Sequence, residues 1–193
     1  GIALSNHAGI DGLFFTGSSG TGEILQKNFA QKFGRILALE LGGHNPLVID
    51  NISDIPAAVY SAIQSCFITT GQRCTCARKL IVVENENTHE FLKQFIQAAQ
   101  NLQLTLDNEE GFMGPVINVQ QAQYLLNQQE QLKSIGAKVL LEMQQPKKDL
   151  AYITPGIIDV TGLTIQDKED FGPLVKVYRV AHLTAAIQEA NNS

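Results

Sequence analysis

Gly12-Leu13-Phe14-Phe15-Thr16-Gly17-Ser18-Ser19-Gly20-Thr21-Gly22 is the stretch whose reading decides the fold. Gly12 to Thr16 is a short apolar run bounded by glycine, the pattern of a buried strand. Gly17 to Gly22 is a Gly/Ser/Thr loop. Glu23 to Phe33 then carries Ile24, Leu25, Phe29 and Phe33 at helical spacing, and Gly34 breaks it. Ile36-Leu37-Ala38-Leu39-Glu40 returns as a second strand, closed by Gly42-Gly43. Strand, loop, helix and strand in this order build a parallel pair.

The same alternation continues to the end of the chain. Pro46 to Asp50 reads as a strand. Asp54 caps a helix with Pro56 in its first turn and an apolar stripe of Ala58, Val59, Ala62, Ile63 and Phe67. That helix is expected to end near Thr70. Lys79 to Val83 is a strand, and Thr88 can cap the helix carrying Phe91, Leu92, Phe95 and Ile96. A loop with Gly111, Gly114 and Pro115 leads to a Gln-rich helix, Val119 to Ser134. Ala137 to Leu141, Tyr152 to Val160 and Leu174 to Val180 read as strands, Gln144 to Asp149 as a polar surface connection, and Thr184 to Ala190 as a last helix. Alternating strands and helices predict an α/β fold with a largely parallel sheet.

The chain has 193 residues, of which 44% are hydrophobic and 17% charged, with a net charge of -5. These values fit a globular chain. No basic block suggests nucleic acid as a partner, and no apolar run approaches the ~20 residues a membrane helix needs. The three cysteines lie between Cys66 and Cys76. They cannot staple distant parts of the chain, and they fit a reducing, cytoplasmic setting. Gly1 to His7 has no signal-peptide pattern and starts inside what reads as a helix. The chain is therefore expected to be a piece of a longer one.

Four segments carry chemistry. Gly17 to Gly22 follows a strand and opens a helix, where backbone N–H groups and the helix dipole favour an anion. It is not a nucleotide P-loop, because Glu23 and Ile24 stand where Lys and Ser or Thr are required. The alternative is a plain strand-to-helix turn. Glu40 ends an apolar strand at the rim of a sheet, where burial could raise its pKa toward that of a useful base; the alternative is a carboxylate facing solvent. Gly71-Gln72-Arg73-Cys74-Thr75-Cys76 places a cysteine in a glycine-bounded loop. There it can be exposed, and Arg73, Arg78 and Lys79 could favour its thiolate. Cys66 and Cys76 read as small buried hydrophobes. The cysteines lack metal-ligand spacing and a nearby His, so no metal is expected. Glu169-Asp170-Phe171-Gly172-Pro173 sets two carboxylates before an aromatic turn, either a ligand site for a hydroxylated molecule or a charged turn. His7, His44, His89 and His182 are scattered and read as surface or packing residues.

In order, these segments resemble the aldehyde dehydrogenase superfamily: Phe15-Thr16-Gly17-Ser18, then Leu39-Glu40-Leu41-Gly42-Gly43 with Asn45-Pro46, then Gly71-Gln72-Arg73-Cys74, then Glu169-Asp170-Phe171-Gly172-Pro173. Within it, Gly71 to Arg78 looks most like the succinylglutamate semialdehyde dehydrogenases of arginine catabolism. The resemblance implies a three-layer α/β fold. Residues 1–40 would be the C-terminal part of a Rossmann-like cofactor-binding domain, and 41–193 most of the catalytic domain. It implies Cys74 as nucleophile, its backbone amide in the oxyanion hole, and Glu40 as the base that activates water. It implies NAD, or NADP, as cofactor. Ser18 would contact the pyrophosphate in the loop that contains Gly17 and Gly22. The Leu41 backbone would border the nicotinamide, and Glu169 would bind its ribose with Phe171 beside it. His44 stands where the family often has Lys or Asn. A dicarboxylic semialdehyde, N-succinylglutamate 5-semialdehyde, is the expected small-molecule substrate, and the whole protein is expected as a homodimer or homotetramer. Other readings are a relative that passes the acyl group to coenzyme A, which a water-activating Glu40 argues against, and a non-catalytic fragment.

Overall fold

A computed structural model describes residues 1–106 and 110–192 of the chain; Ser193, counted above in the second expected domain, lies outside the described residues. The chain divides into two compact units, Gly1–Gly43 and His44–Ser193. Among the described residues, no helix is long and apolar enough to cross a membrane.

The first unit contains α1 (Ile2–Asn6), β1 (Gly12–Gly17), α2 (Ser19–Phe29) and β2 (Ile36–Leu41). β1 and β2 pair in parallel, with Thr16 opposite Glu40 and Gly17 opposite Leu41. The helix starts four residues earlier than its apolar spacing suggests, because Ser18 caps it, accepting a hydrogen bond from the Thr21 amide at 3.3 Å. It also stops earlier, at Phe29. Phe33, expected on its apolar stripe, lies beyond its end and is fully exposed. Leu25 and Phe29 are its buried apolar side chains.

The second unit is built on a five-stranded sheet. Its elements are β3 (Pro46–Ile49), α3 (Ile55–Phe67), β4 (Lys79–Val83), α4 (Glu86–Gln100), α5 (Val119–Ser134), β5 (Lys138–Leu141), β6 (Gly156–Asp159), β7 (Leu174–Val180) and α6 (Leu183–Ala190). The strand order is β3-β4-β7-β6-β5. All neighbours are parallel except β5 and β6. The α/β class and the largely parallel sheet are therefore borne out, with one antiparallel edge.

Every residue of β4 is buried, as expected of a strand covered on both faces. Its side chains alternate. Leu80 and Val82 join the core under α3 and α4, with Phe67, Phe91 and Phe95, whereas Ile81 and Val83 meet Ala186 of α6. Ile158 and Leu174 pack with Ala122, Leu125 and Leu132 of α5 in a separate cluster. Helices thus cover both faces, giving three layers. The rings of Phe67 and Phe91 stand 5.9 and 5.8 Å from that of Phe95, each stacked on it.

Three boundaries in the second unit differ by more than one residue from the sequence reading. α3 ends at Phe67, and Ile68–Gly71 continues as a short 3-10 turn. α4 is capped by Asn85, with the Thr88 hydroxyl at its third position accepting a hydrogen bond from the Asn85 amide at 3.0 Å, a reciprocal box rather than a Thr88 cap. The strand expected from Tyr152 is only Gly156–Asp159, since Pro155 has no amide to give a ladder.

Candidate active site

Cys74 is an exposed free thiol, whereas Cys66 and Cys76 are buried. Burial pushes the Cys66 thiol far above its ordinary range. The loop that presents Cys74 is held from several directions. Thr69, Thr70 and Gly71 all lie in the left-handed region, with φ of 51°, 59° and 67°, which turns the chain sharply after α3. A side chain at Gly71 would meet the Gly172 carbonyl oxygen at 2.3 Å, so the loop rests on the Gly172–Pro173 backbone at a place only glycine fits. Thr70 donates to the Gly114 carbonyl at 2.9 Å. Gln72 donates to the Pro115 carbonyl at 3.1 Å and accepts from the Ile117 amide at 2.8 Å. Asn45 donates to the carbonyls of Cys74 and Cys76, the latter at 3.1 Å. The Asn45 carbonyl accepts from the Arg78 and Lys79 amides.

The Glu169–Pro173 segment lies against this loop. Asp170 forms a buried ion pair with Lys176 at 2.7 Å and accepts from the Tyr124 hydroxyl at 2.8 Å. Gln121 donates to the Phe171 carbonyl at 2.8 Å. These contacts fix the segment, so its two carboxylates do different work. Asp170 anchors it, whereas the Glu169 side chain is only partly covered and faces Arg78 at 3.1 Å. Phe171 is 36% exposed.

In the first unit, Ser18 and Thr21 hydroxyls are 3.0 Å apart at the head of α2. A side chain at Gly20 would meet nothing within 4 Å, so the head of α2 is uncrowded there. A side chain at Gly22 would strike Leu41 at 2.7 Å, so α2 packs tightly on β2 only because Gly22 has none. Glu40 is exposed. A side chain at Gly17 would strike the Phe15 ring.

An exposed cysteine beside a partly open carboxylate, and a glycine loop opening a helix, are features that comparison with known proteins can place. A model of the aldehyde dehydrogenase family matches residues 1–193. The chain belongs to the aldehyde dehydrogenase family. It is 48% identical, over its whole length, to the N-succinylglutamate 5-semialdehyde dehydrogenases of Ectopseudomonas mendocina (strain ymp) and Pseudomonas fluorescens (strain Pf0-1). It spans 40% of the length of each. Among solved structures it resembles an aldehyde dehydrogenase from Bacillus cereus (TM-score 0.88, 29% identity, 100% of this chain and 39% of that one). It also resembles a betaine aldehyde dehydrogenase from Staphylococcus aureus in complex with NAD+ (TM-score 0.85, 30% identity, 98% of this chain and 39% of that one).

Four side chains, Arg78, Lys79, Asn45 and His182, have roles that the sequence did not assign. Arg78 and Lys79, expected as cations favouring the Cys74 thiolate, are both committed elsewhere. Arg78 is buried among backbone carbonyls and Glu169. Lys79 pairs with Glu189 at 2.8 Å and donates to the Glu189 and Asn192 carbonyls below α6. Asn45, quoted only as part of a motif, clamps the nucleophile loop. His44 is buried with its Nδ1 2.7 Å from an Asp167 carboxylate oxygen, a polar packing role. His182 caps α6 rather than standing idle on the surface.

Proposed function

We propose that the whole protein oxidises an aldehyde to a carboxylate with NAD, NADP being the alternative cofactor, and that its substrate is N-succinylglutamate 5-semialdehyde in arginine catabolism. The single observation that carries the reading is the exposed Cys74 thiol on a loop clamped by Asn45, Gln72 and Gly71. Held geometry around a nucleophile is what makes an attack productive. The named relatives supply the substrate.

In this reading Gly1–Gly43 is the end of a Rossmann-like cofactor domain and His44–Ser193 most of the catalytic domain. The exposure of Phe14 (81%) and Ile36 (64%) on β1 and β2 is what a further layer of helices packed on the sheet would cover. The residues present fit a dinucleotide. Ser18 at the head of α2 suits a pyrophosphate, and the partly exposed Glu169 carboxylate suits a ribose hydroxyl. Gly17, Gly22, Leu41 and Phe171 would shape the remainder of that site. When bound, the nicotinamide supplies the hydride acceptor.

The Cys74 thiolate adds to the aldehyde carbon, forming a C–S bond and an alkoxide that the Cys74 amide helps to hold. Loss of hydride from that carbon leaves a thioester on Cys74. Glu40 takes a proton from water as the water oxygen attacks the thioester carbonyl; the C–S bond breaks and the acid leaves. A cytoplasmic setting and an assembly of two or four copies complete the proposal.

The test is NAD reduction by the full-length protein with N-succinylglutamate semialdehyde and a panel of simple aldehydes, with Cys74→Ala as control. Preference for the succinylated substrate, lost in the control, is expected. Turnover on other aldehydes alone would discard the substrate, and no turnover on any, from folded protein that binds NAD, would discard the chemistry. Glu40→Gln should stop thioester hydrolysis while sparing the first hydride transfer.

A further inference from the structure

Arg78 is 2% exposed, although a guanidinium is costly to bury without partners. Its Nη1 donates to the Cys76 carbonyl at 2.9 Å, and its Nη2 donates to the Gly71 and Arg73 carbonyls, each at 3.0 Å. These carbonyls bracket Cys74 on both sides. The same Nη2 lies 3.1 Å from Glu169 Oε1, and the guanidinium sits 5.1 Å from the centre of the Phe171 ring.

The two sets of contacts differ in kind. The carbonyls receive well-formed hydrogen bonds that need a rigid, planar fork. Glu169 Oε1 is buried and receives no hydrogen bond, so it is held by charge, which any cation at the position could supply.

We infer that Arg78 is a positioning residue with two separable actions: its fork shapes the Cys74 loop, and its charge sets the Glu169 carboxylate. This rests on the reading in which Cys74 is the nucleophile and Glu169 a cofactor ligand. Lysine at position 78 keeps the charge and loses the fork. It leaves the Gly71, Arg73 and Cys76 carbonyls less well satisfied, so the loop no longer holds the thiol in one geometry.

The experiment compares full-length wild type, Arg78→Lys, Glu169→Gln and the double variant Arg78→Met/Glu169→Gln. It reads the Kd for NAD by calorimetry, the alkylation rate of Cys74 by iodoacetamide without cofactor, and the first-turnover rate of NADH formation. Arg78→Lys is expected to keep the Kd within about threefold while alkylation slows at least about fivefold and the first turnover at least about tenfold. Glu169→Gln is expected to weaken NAD about tenfold or more and to leave alkylation within about threefold. The double variant, which buries no unpaired charge, is expected to lose both. A lysine variant that changes Kd and loop reactivity together, or neither, overturns the inference, as does a double variant with wild-type alkylation. If wild type itself neither binds NAD nor alkylates at Cys74, the underlying functional reading fails instead.

Discussion

Replacing Lys176 with Met should destabilise the second unit strongly, because it leaves a charge buried without its partner. Lys176 and Asp170 side chains are each 4% exposed and 2.7 Å apart. Without the ammonium, the Asp170 carboxylate keeps the hydrogen bond from Tyr124 at 2.8 Å. Removing one member of such a buried pair costs about 3–5 kcal/mol. A unit of this size loses about 2–4 °C of Tm per kcal/mol, so a fall on the order of 10 °C follows. Thermal unfolding of the full-length protein, followed by circular dichroism, reads it. The double variant Lys176→Met/Asp170→Asn removes both charges and keeps an acceptor for Tyr124. It should recover at least half of the loss. A single-variant fall below about 2 °C, or a double variant less stable than Lys176→Met, would refute the argument that an uncompensated charge is the cause.

Gly71→Ala should cost at least about 2 kcal/mol, because it combines a left-handed φ of 67° with a clash against the Gly172 carbonyl; Gly172→Ala, whose nearest neighbours are atoms of the Leu125 side chain rather than backbone, should cost less in the same denaturation assay. Limited iodoacetamide labelling of native protein, read by mass spectrometry, should place one adduct on Cys74 and none on buried Cys66 or Cys76, and a second adduct forming at a similar rate would contradict the burial. Burial holds the His44 pKa below its ordinary 6.5, against the pull of Asp167 and with the help of Lys176 and Lys79. The unfolded chain therefore binds this proton more readily than the folded one, so stability is intact above about pH 6.5 and declines as pH falls through the window below it. His44→Asn should flatten that part of a Tm-against-pH curve.

Local patterns made much of the architecture readable. The apolar run of β1, the glycine loop and the spacing of Leu25 and Phe29 specify a strand, a turn and a helix within about 20 residues, because each depends on near neighbours. The apolar run Leu80 to Val83 in β4 read as a strand. The motifs also pointed to the loops that carry Cys74 and Glu169. What stayed hidden was long-range. Asn45 reaches carbonyls near Cys74 about 30 residues away, and His44 meets Asp167 across 123 residues, pairings with no local signature. Arg78 next to a cysteine in sequence looked like a thiolate activator, but a side chain's direction is set by the strand that follows it, and this one points into the carbonyls and Glu169. The left-handed Thr69 and Thr70 were unreadable for a different reason: β-branched residues disfavour that conformation, so only tertiary contacts such as Thr70 to Gly114 hold it.

The strand order has a consequence for biosynthesis. β7 lies between β4 and β6, so the middle of the sheet waits for the last strand to be made. The Cys74 loop also leans on Gly172, nearly 100 residues downstream. A ribosome adding about 5–20 residues per second needs roughly 5–20 s to travel that far. Throughout that interval the Cys74 loop lacks the backbone it rests on in the finished protein. The defined presentation of that thiol is thus acquired late in synthesis.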